Sequence, residues 1–149
     1  MAYMTIFSWL LIGHFVGDWM FQNDWMARDK RGRWWSSQCV IHCIVYTVIM
    51  LVFAWFGSGQ SASATQLGLL FSVTIITHWL IDGFNLAEIW GRVVNQTQSD
   101  FVRIVVDQTM HVFVLGVTAA LVFVRHRSNL RRLRAGDERR AGAPREVGR

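Results

Sequence analysis

Residues 37–56 read SQCVIHCIVYTVIMLVFAWF, and this segment is apolar along almost its whole length. A helix in a water-soluble bundle keeps a polar outer face, and Val40 to Phe56 offers almost none. About 20 apolar residues also match the length needed to cross roughly 30 Å of hydrocarbon, because each helical residue rises about 1.5 Å. The segment therefore indicates a transmembrane helix, and a water-soluble helical bundle is the competing interpretation.

Three other segments meet the same requirement, at about Tyr3–Phe21, Thr65–Phe84 and Phe101–Val124. We predict an all-α integral membrane protein whose residues 1–124 form a four-helix transmembrane bundle. Because His14 and Asp18 interrupt the first segment, and no basic region precedes it, we expect a retained span rather than a cleaved signal. An apolar content of 52% in 149 residues supports this class over a soluble domain.

The net charge of +5 has a local origin. Nine arginines follow Val124, whereas the acidic side chains outnumber the basic ones before it. Residues 125–149 are therefore predicted to be a disordered tail that binds anionic lipid or a protein partner. Since the basic charge is confined to this tail, we expect the bilayer, and no specific nucleic acid, to be the main partner.

The segments that connect the predicted spans contain residues typical of a membrane–water interface. Residues 22–36 combine basic side chains with tryptophans, as at a membrane–water interface, and there Lys30 would meet a lipid phosphate or an anionic substrate. Residues 86–94 form an amphipathic piece suited to lie along the surface. The short basic loops favour the cytoplasmic side of a bacterial inner membrane for these connectors, with both termini outside, whereas the tail arginines favour the reverse.

Each predicted span contains one histidine, and three of the four have an aspartate four residues away. The pairs are His14/Asp18, His78/Asp82 and Asp107/His111, and the remaining histidine is His42. Residues four apart share a helix face, and an up-down bundle places all seven groups in one leaflet. Because an aspartate at mid-membrane costs about 2.5–3.5 kcal/mol, we expect the seven to face one another around a cation or a wet cavity. Structural hydrogen bonds and ion pairs are the alternative.

Imidazoles with carboxylates suit a divalent metal such as Zn, Mn or Fe, and this number of groups suits one or two ions. Cys39 and Cys43 flank His42 and could add soft ligands, but we favour a space-filling role for them.

Several motifs occur in a fixed order: His14-Phe-Val-Gly-Asp18-Trp-Met-Phe-Gln22, then Asp24-Trp-Met-Ala with Lys30, His42, His78-Trp-Leu-Ile-Asp82 and Asp107-Gln-Thr-Met-His111. Over about residues 4–124 they resemble a bacterial and phage family of multi-pass membrane proteins, the domain of unknown function 3307. The resemblance implies a membrane fold but no activity, and it excludes the tail. The His-x-x-x-Asp spacing is also similar to that of bacterial inner-membrane proteins labelled metal-dependent hydrolases.

The leading hypothesis is a membrane-embedded, metal-dependent hydrolase that acts near one membrane face on a phosphate or acyl ester of a lipid-linked substrate. The metal ligands would be His14, Asp18, His78, Asp82, Asp107 and His111. His42 would be a further ligand or the general base, with Gln22 and Gln108 orienting substrate or ligands. Without a Gly-x-Ser-x-Gly motif, water is the expected nucleophile.

Two other functions are compatible with the same residues. A cation or proton transporter would use the polar layer, although it should also carry polar groups in the opposite leaflet, where Val48–Phe56 and Leu115–Val124 offer few. A phage or bacterial accessory protein could use metal only to hold its helices together.

Overall fold

The computed structural model describes residues 5–29, 34–96 and 98–124, and the described residues are helical with no strand among them. The helices are α1 (Ile6–Phe15), α2 (Asp24–Asp29), α3 (Ser37–Gly57), α4 (Ala64–Gly83), α5 (Leu86–Val93) and α6 (Asp100–Ala119). A π-helical turn, Val16–Met20, continues α1, and another, Ala120–Val124, continues α6. The all-helical prediction is confirmed for this part of the chain. The predicted tail 125–149, Tyr3 and Lys30 lie outside the described residues.

Hydroxyl side chains fix where the long helices begin. The capping residues are Thr5, Ser36, Ser63 and Ser99, and each accepts a hydrogen bond from the amide three residues further on. Ser63 also donates its own backbone N–H to the Gln66 side chain at 2.9 Å, which completes a capping box. These bonds satisfy amides that have no partner inside the helix, so the sequence itself determines the starting points.

Three helices are long and apolar enough to cross a membrane: α3, α4, and α6 with its π-helical turn as far as Phe123. The predicted first span is a shorter apolar helix, Ile6–Met20. Large apolar side chains, such as Val48, Ile76 and Phe113, are exposed along these helices. The polar side chains buried between them include four histidines and two aspartates: His14, His42, His78, His111, Asp18 and Asp82. This arrangement is the reverse of a water-soluble protein and is typical of helices in lipid.

The long helices pack around two stacked layers. α3 lies against α1 and α4, and α6 contacts the same two helices from the other side. At Gly13 an added Cβ would lie 2.8 Å from the Cβ of Phe53, so glycine allows α1 to approach α3 closely. One layer is an apolar core of Leu10, Tyr46, Met50, Ala54, Leu70, Leu115, Ala119, Val122 and Phe123. The second layer contains the histidines and aspartates.

Candidate metal centre

Four buried side chains from three segments meet in the polar layer. Asp18 comes from the π-helical turn after α1, His42 from α3, and His78 and Asp82 from α4. Their potential ligand atoms all lie within 4.8 Å of one another. We call this set the four-ligand group.

The distances within the four-ligand group match those around a small cation. His42 Nε2 lies 2.9 Å from His78 Nε2, 3.1 Å from Asp18 Oδ1 and 3.2 Å from Asp82 Oδ2. His78 Nε2 lies 3.5 Å from Asp82 Oδ2 and 3.9 Å from Asp18 Oδ1. A tetrahedral ion with bonds of about 2.0–2.1 Å separates its ligand atoms by about 3.3–3.4 Å. The group therefore has the size of a tetrahedral zinc-type site.

A second group contains Asp82 again, with Asp107 and His111 of α6. His111 Nε2 lies 3.6 Å from Asp82 Oδ1, the carboxylate oxygen that is not used in the close contacts of the four-ligand group. His111 Nδ1 donates a hydrogen bond to the backbone carbonyl of Asp107 at 2.9 Å. That bond fixes the tautomer, so the lone pair of His111 is on Nε2 and faces Asp82. We call this set the three-ligand group.

Within the described part of the chain, His111 Nε2 is buried and makes no hydrogen bond. A buried imidazole nitrogen without a hydrogen bond is costly, and a metal ion would remove that cost. Asp107 is the most accessible member of the three-ligand group, with 25% of its side chain exposed. The three-ligand group therefore lies toward the outside, and Asp82 connects it to the four-ligand group.

His14 lies outside both groups, although the sequence analysis placed it among the ligands. Its Nε2 lies 3.0 Å from Gln108 Oε1, and its Nδ1 lies 3.0 Å from the Tyr46 hydroxyl. The amide nitrogen of Gln108 donates to Asp18 Oδ2 at 2.7 Å, so its oxygen must face His14 and accept from Nε2–H. His14 therefore holds Gln108, and Gln108 holds Asp18 so that its other oxygen faces His42.

A π-helical turn, Val16–Met20, interrupts the regular helix between His14 and Asp18. The N–H of Phe21 donates to the carbonyl of Val16 at 3.1 Å, a spacing of five residues instead of four. In this wider turn, residues four apart no longer lie directly above one another. Gly17 helps α1 to approach α3 here, since an added Cβ would lie 3.0 Å from the Tyr46 ring.

Tyr46 is a site residue that the sequence analysis did not identify. Its ring stacks on His78 with centroids 3.8 Å apart, and its hydroxyl contacts His14. One signal was present in the sequence, because Tyr46 follows His42 by one helical turn on α3. Tyr46 thus fixes two of the four histidines.

The structure also gives the positions of the glutamines, the cysteines and the amphipathic connector that the sequence analysis singled out. Gln22 is partly buried just after the π-helical turn, while Gln108 lies beside Asp18. Cys39 and Cys43 are buried on α3 and belong to neither the four-ligand nor the three-ligand group. Residues 86–93 form the helix expected for the amphipathic connector.

Comparisons with known proteins identify the family to which the chain belongs. No curated protein and no solved structure matches the chain. Residues 6–135 match the family described as "Protein of unknown function (DUF3307)". This match confirms the family resemblance and corrects its extent, because it continues past Val124 into the Arg-rich segment that the motifs excluded. The chain belongs to the DUF3307 family.

Proposed function

We propose that residues 1–124 form a four-span domain of the bacterial inner membrane, with α1, α3, α4 and α6 as its spans. The exposed apolar side chains and the buried polar layer support this arrangement. Residues 125–149 are a separate basic tail that binds anionic lipid or a partner. The polar layer faces the cytoplasm in this proposal, since the short connectors next to it carry the basic residues.

We propose that this domain is a metal-dependent hydrolase that acts near one membrane face on a lipid-linked ester. The observation that carries the proposal is the convergence of buried imidazoles and carboxylates at ligand distances. Keeping such groups in hydrocarbon is costly, and a bound cation offsets the cost by neutralising the carboxylates and using the nitrogen lone pairs.

The two groups suit two ions with different roles. The four side chains of the four-ligand group would together hold one ion, as the ligands of structural zinc sites do. The three-ligand group would hold a second ion with fewer protein ligands, as catalytic sites do, and Asp82 belongs to both groups.

Catalysis would take place at the three-ligand group. An ion held there would supply a bound water of lowered pKa and would polarise the scissile phosphate or acyl group. Asp107 and His111 would hold that ion, and the partial exposure of Asp107 gives the substrate a side from which to approach. His14, Gln108 and Tyr46 act as positioning residues, because they contact Asp18 and His78 and belong to neither ligand group.

The composition of the other layer favours a hydrolase over a transporter. A transport path needs polar groups through both halves of the membrane. The layer next to the polar one is the apolar core, which contains Leu10, Met50 and Leu115 among others. A site open on one side fits this distribution better than a path across the membrane.

Elemental analysis and ester hydrolysis test the function together. The protein purified in detergent should contain bound transition metal and hydrolyse members of a panel of lipid phosphate and acyl esters. The His78→Ala variant should lose the ion of the four-ligand group, because His78 is a buried member of it, and turnover should fall because that group shares Asp82 with the three-ligand group. Bound metal without turnover on any ester would favour the accessory function, and metal-dependent ion flux in proteoliposomes would favour transport.

The hydrogen bonds of Gln108 are predicted to increase metal affinity by holding Asp18 in position. The Gln108→Leu variant removes the hydrogen bonds to Asp18 and His14 but leaves every proposed ligand in place. We expect metal affinity to fall by about 10- to 100-fold, as is usual when a partner of a ligand is lost. Competition with a fluorescent zinc chelator measures this affinity. Gln38→Leu is the matched control, since Gln38 belongs to neither group; equal losses in both variants would contradict the assignment.

A further inference from the structure

A polar cavity lies between α5 and the start of α6, outside the two metal-ligand groups. Its volume is about 270 Å³, and its lining residues are Ala87, Glu88, Gly91, Arg92, Gln96 and Arg103. α5 is the amphipathic connector, so this cavity lies at the surface end of the polar layer rather than among the apolar side chains.

The backbone after α5 shapes the wall of this cavity. The N–H of Gln96 donates to the carbonyl of Gly91 at 2.7 Å, and Asn95 has a positive φ of 57°. An added Cβ at Gly91 would lie 3.1 Å from the carbonyl oxygen of Gln96. Glycine at this position therefore lets the chain fold back tightly and bring Gln96 to the same cavity as the two arginines.

Arg103 has unused capacity to bind an anion. Its Nε is buried and has no hydrogen-bond partner among the described residues. Its Nη2 lies 2.8 Å from Asp100, but that aspartate is 84% exposed, and exposed pairs are weak. Arg103 lines the cavity, and a guanidinium whose N–H groups are not all satisfied is well suited to bind a phosphate oxygen.

Arg92 supplies a second positive charge at the same cavity. It donates to Glu88 from one helical turn away. The hydrogen bond and the charge of Arg92 lower the pKa of Glu88, and the Asn85 hydrogen bond and the charge of Arg103 lower it further. Both arginines therefore act electrostatically on the same carboxylate, which holds Arg92 in place and competes with any other anion.

The cavity also lies close to the three-ligand group, where the catalytic ion is proposed to bind. Arg103, Asp107 and His111 lie one helical turn apart on one face of α6. Four residues of helix rise about 6 Å, so Arg103 is one turn outward from the first ligand of the three-ligand group. A group bound at the cavity would lie next to the accessible side of that group.

We propose that Arg103 and Arg92 form a phosphate-binding site at the membrane surface, beside the three-ligand group. The site accepts the phosphate of a lipid headgroup or free phosphate, and its role in catalysis rests on the proposed hydrolase function. It selects phosphate esters rather than carboxylic esters as the substrate class. Phosphate binding itself requires no metal.

Binding is measured on the full-length protein in detergent with chelator present, so that no metal can hold the phosphate. One arm titrates inorganic phosphate by ³¹P NMR, and another titrates short-chain phosphatidic acid against short-chain diacylglycerol. We expect both phosphate probes to bind, or the lipid alone if the headgroup is the ligand, and diacylglycerol to bind more weakly. Arg103→Gln should weaken phosphate binding by about ten-fold or more, in line with the loss of a charge-assisted hydrogen bond.

A substitution that should strengthen phosphate binding tests whether this particular site, and not the overall positive charge, binds the phosphate. Glu88→Gln removes the competing carboxylate and should strengthen binding a few-fold, since Arg92 is then available. Arg28→Gln is the control that removes one positive charge from α2. Equal effects of Arg103→Gln and Arg28→Gln, or binding of diacylglycerol as tight as that of phosphatidic acid, would overturn the proposal. If phosphate binding depends on Arg103 but the protein hydrolyses no ester, the proposed hydrolase function is refuted. The proposed phosphate-binding site is then still supported.

Discussion

Protein carrying Asp82→Asn is expected to lose both metal ions, whereas the unsubstituted protein holds two. Among the described residues Asp82 is the one side chain that belongs to both groups. Its Oδ2 lies 3.2 Å from His42 Nε2, and its Oδ1 lies 3.6 Å from His111 Nε2. An amide of the same shape is neutral, and its nitrogen cannot coordinate, so one of the two bridging bonds disappears and the other weakens. We expect metal affinity to fall by more than about a hundred-fold, since even partners of ligands change it by that much.

Stoichiometry distinguishes the bridge from a simple ligand. Asp107→Asn should remove only the ion of the three-ligand group and so leave one ion per chain, because Asp107 is absent from the four-ligand group. Asp24→Asn, on the exposed surface of α2, should leave both ions in place. Mass spectrometry of the intact protein or elemental analysis gives the count. The shared role of Asp82 would be contradicted if the Asp82→Asn variant still held one ion and the Asp107→Asn variant held none.

Removing the two ions is expected to lower the midpoint of thermal unfolding by about 16–32 °C, which is about 8–16 °C for each ion. An ion present at about a thousand times its Kd stabilises the folded state by about 4 kcal/mol, and for a chain of this size each kcal/mol corresponds to roughly 2–4 °C. Chelation would also leave Asp18 and Asp82, two buried carboxylates, beside the same nitrogen of His42 without a cation between them. Unfolding in detergent, with and without chelator, measures the difference.

A core variant serves as the control for this stability measurement. Met50 is fully buried in the apolar layer, so Met50→Ala should lower the midpoint by the same amount with and without metal. The double variant Asp18→Asn with Asp82→Asn should make the midpoint independent of chelator. A midpoint of the unsubstituted, metal-loaded protein that does not respond to chelator would refute a role for the ions in stability.

The sequence predicted the helices well because their ends carry local signals. Ser36 and Ser63 cap α3 and α4 through bonds to residues three positions away, so neighbouring residues alone determine these boundaries. The length of the apolar segments identified α3, α4 and α6. The first helix was expected to be as long as the others, but its apolar part ends at Met20, and a π-helical turn replaces its last turn.

The site was harder to predict because it depends on contacts between distant residues. The i to i+4 rule assumes regular α-helical geometry, which Val16–Met20 does not have; His14 and Asp18 share Gln108 as a partner, but only Asp18 belongs to the four-ligand group. The 94-residue separation of His14 and Gln108 leaves no local pattern for their hydrogen bond. The role of Asp82 was also invisible in the sequence, since its spacing to His78 resembles that of the other pairs.

The short first helix has a consequence for the surrounding bilayer. Ile6–Met20 rises only about 22 Å, whereas the hydrocarbon of a typical bilayer is about 30 Å thick. Lipid beside a short span thins to match it, at a modest energetic cost. In the proposed four-span arrangement, the resulting dimple would bring headgroups and interfacial water closer to Asp18, so the hydrophobic mismatch itself would help to hydrate the metal centre.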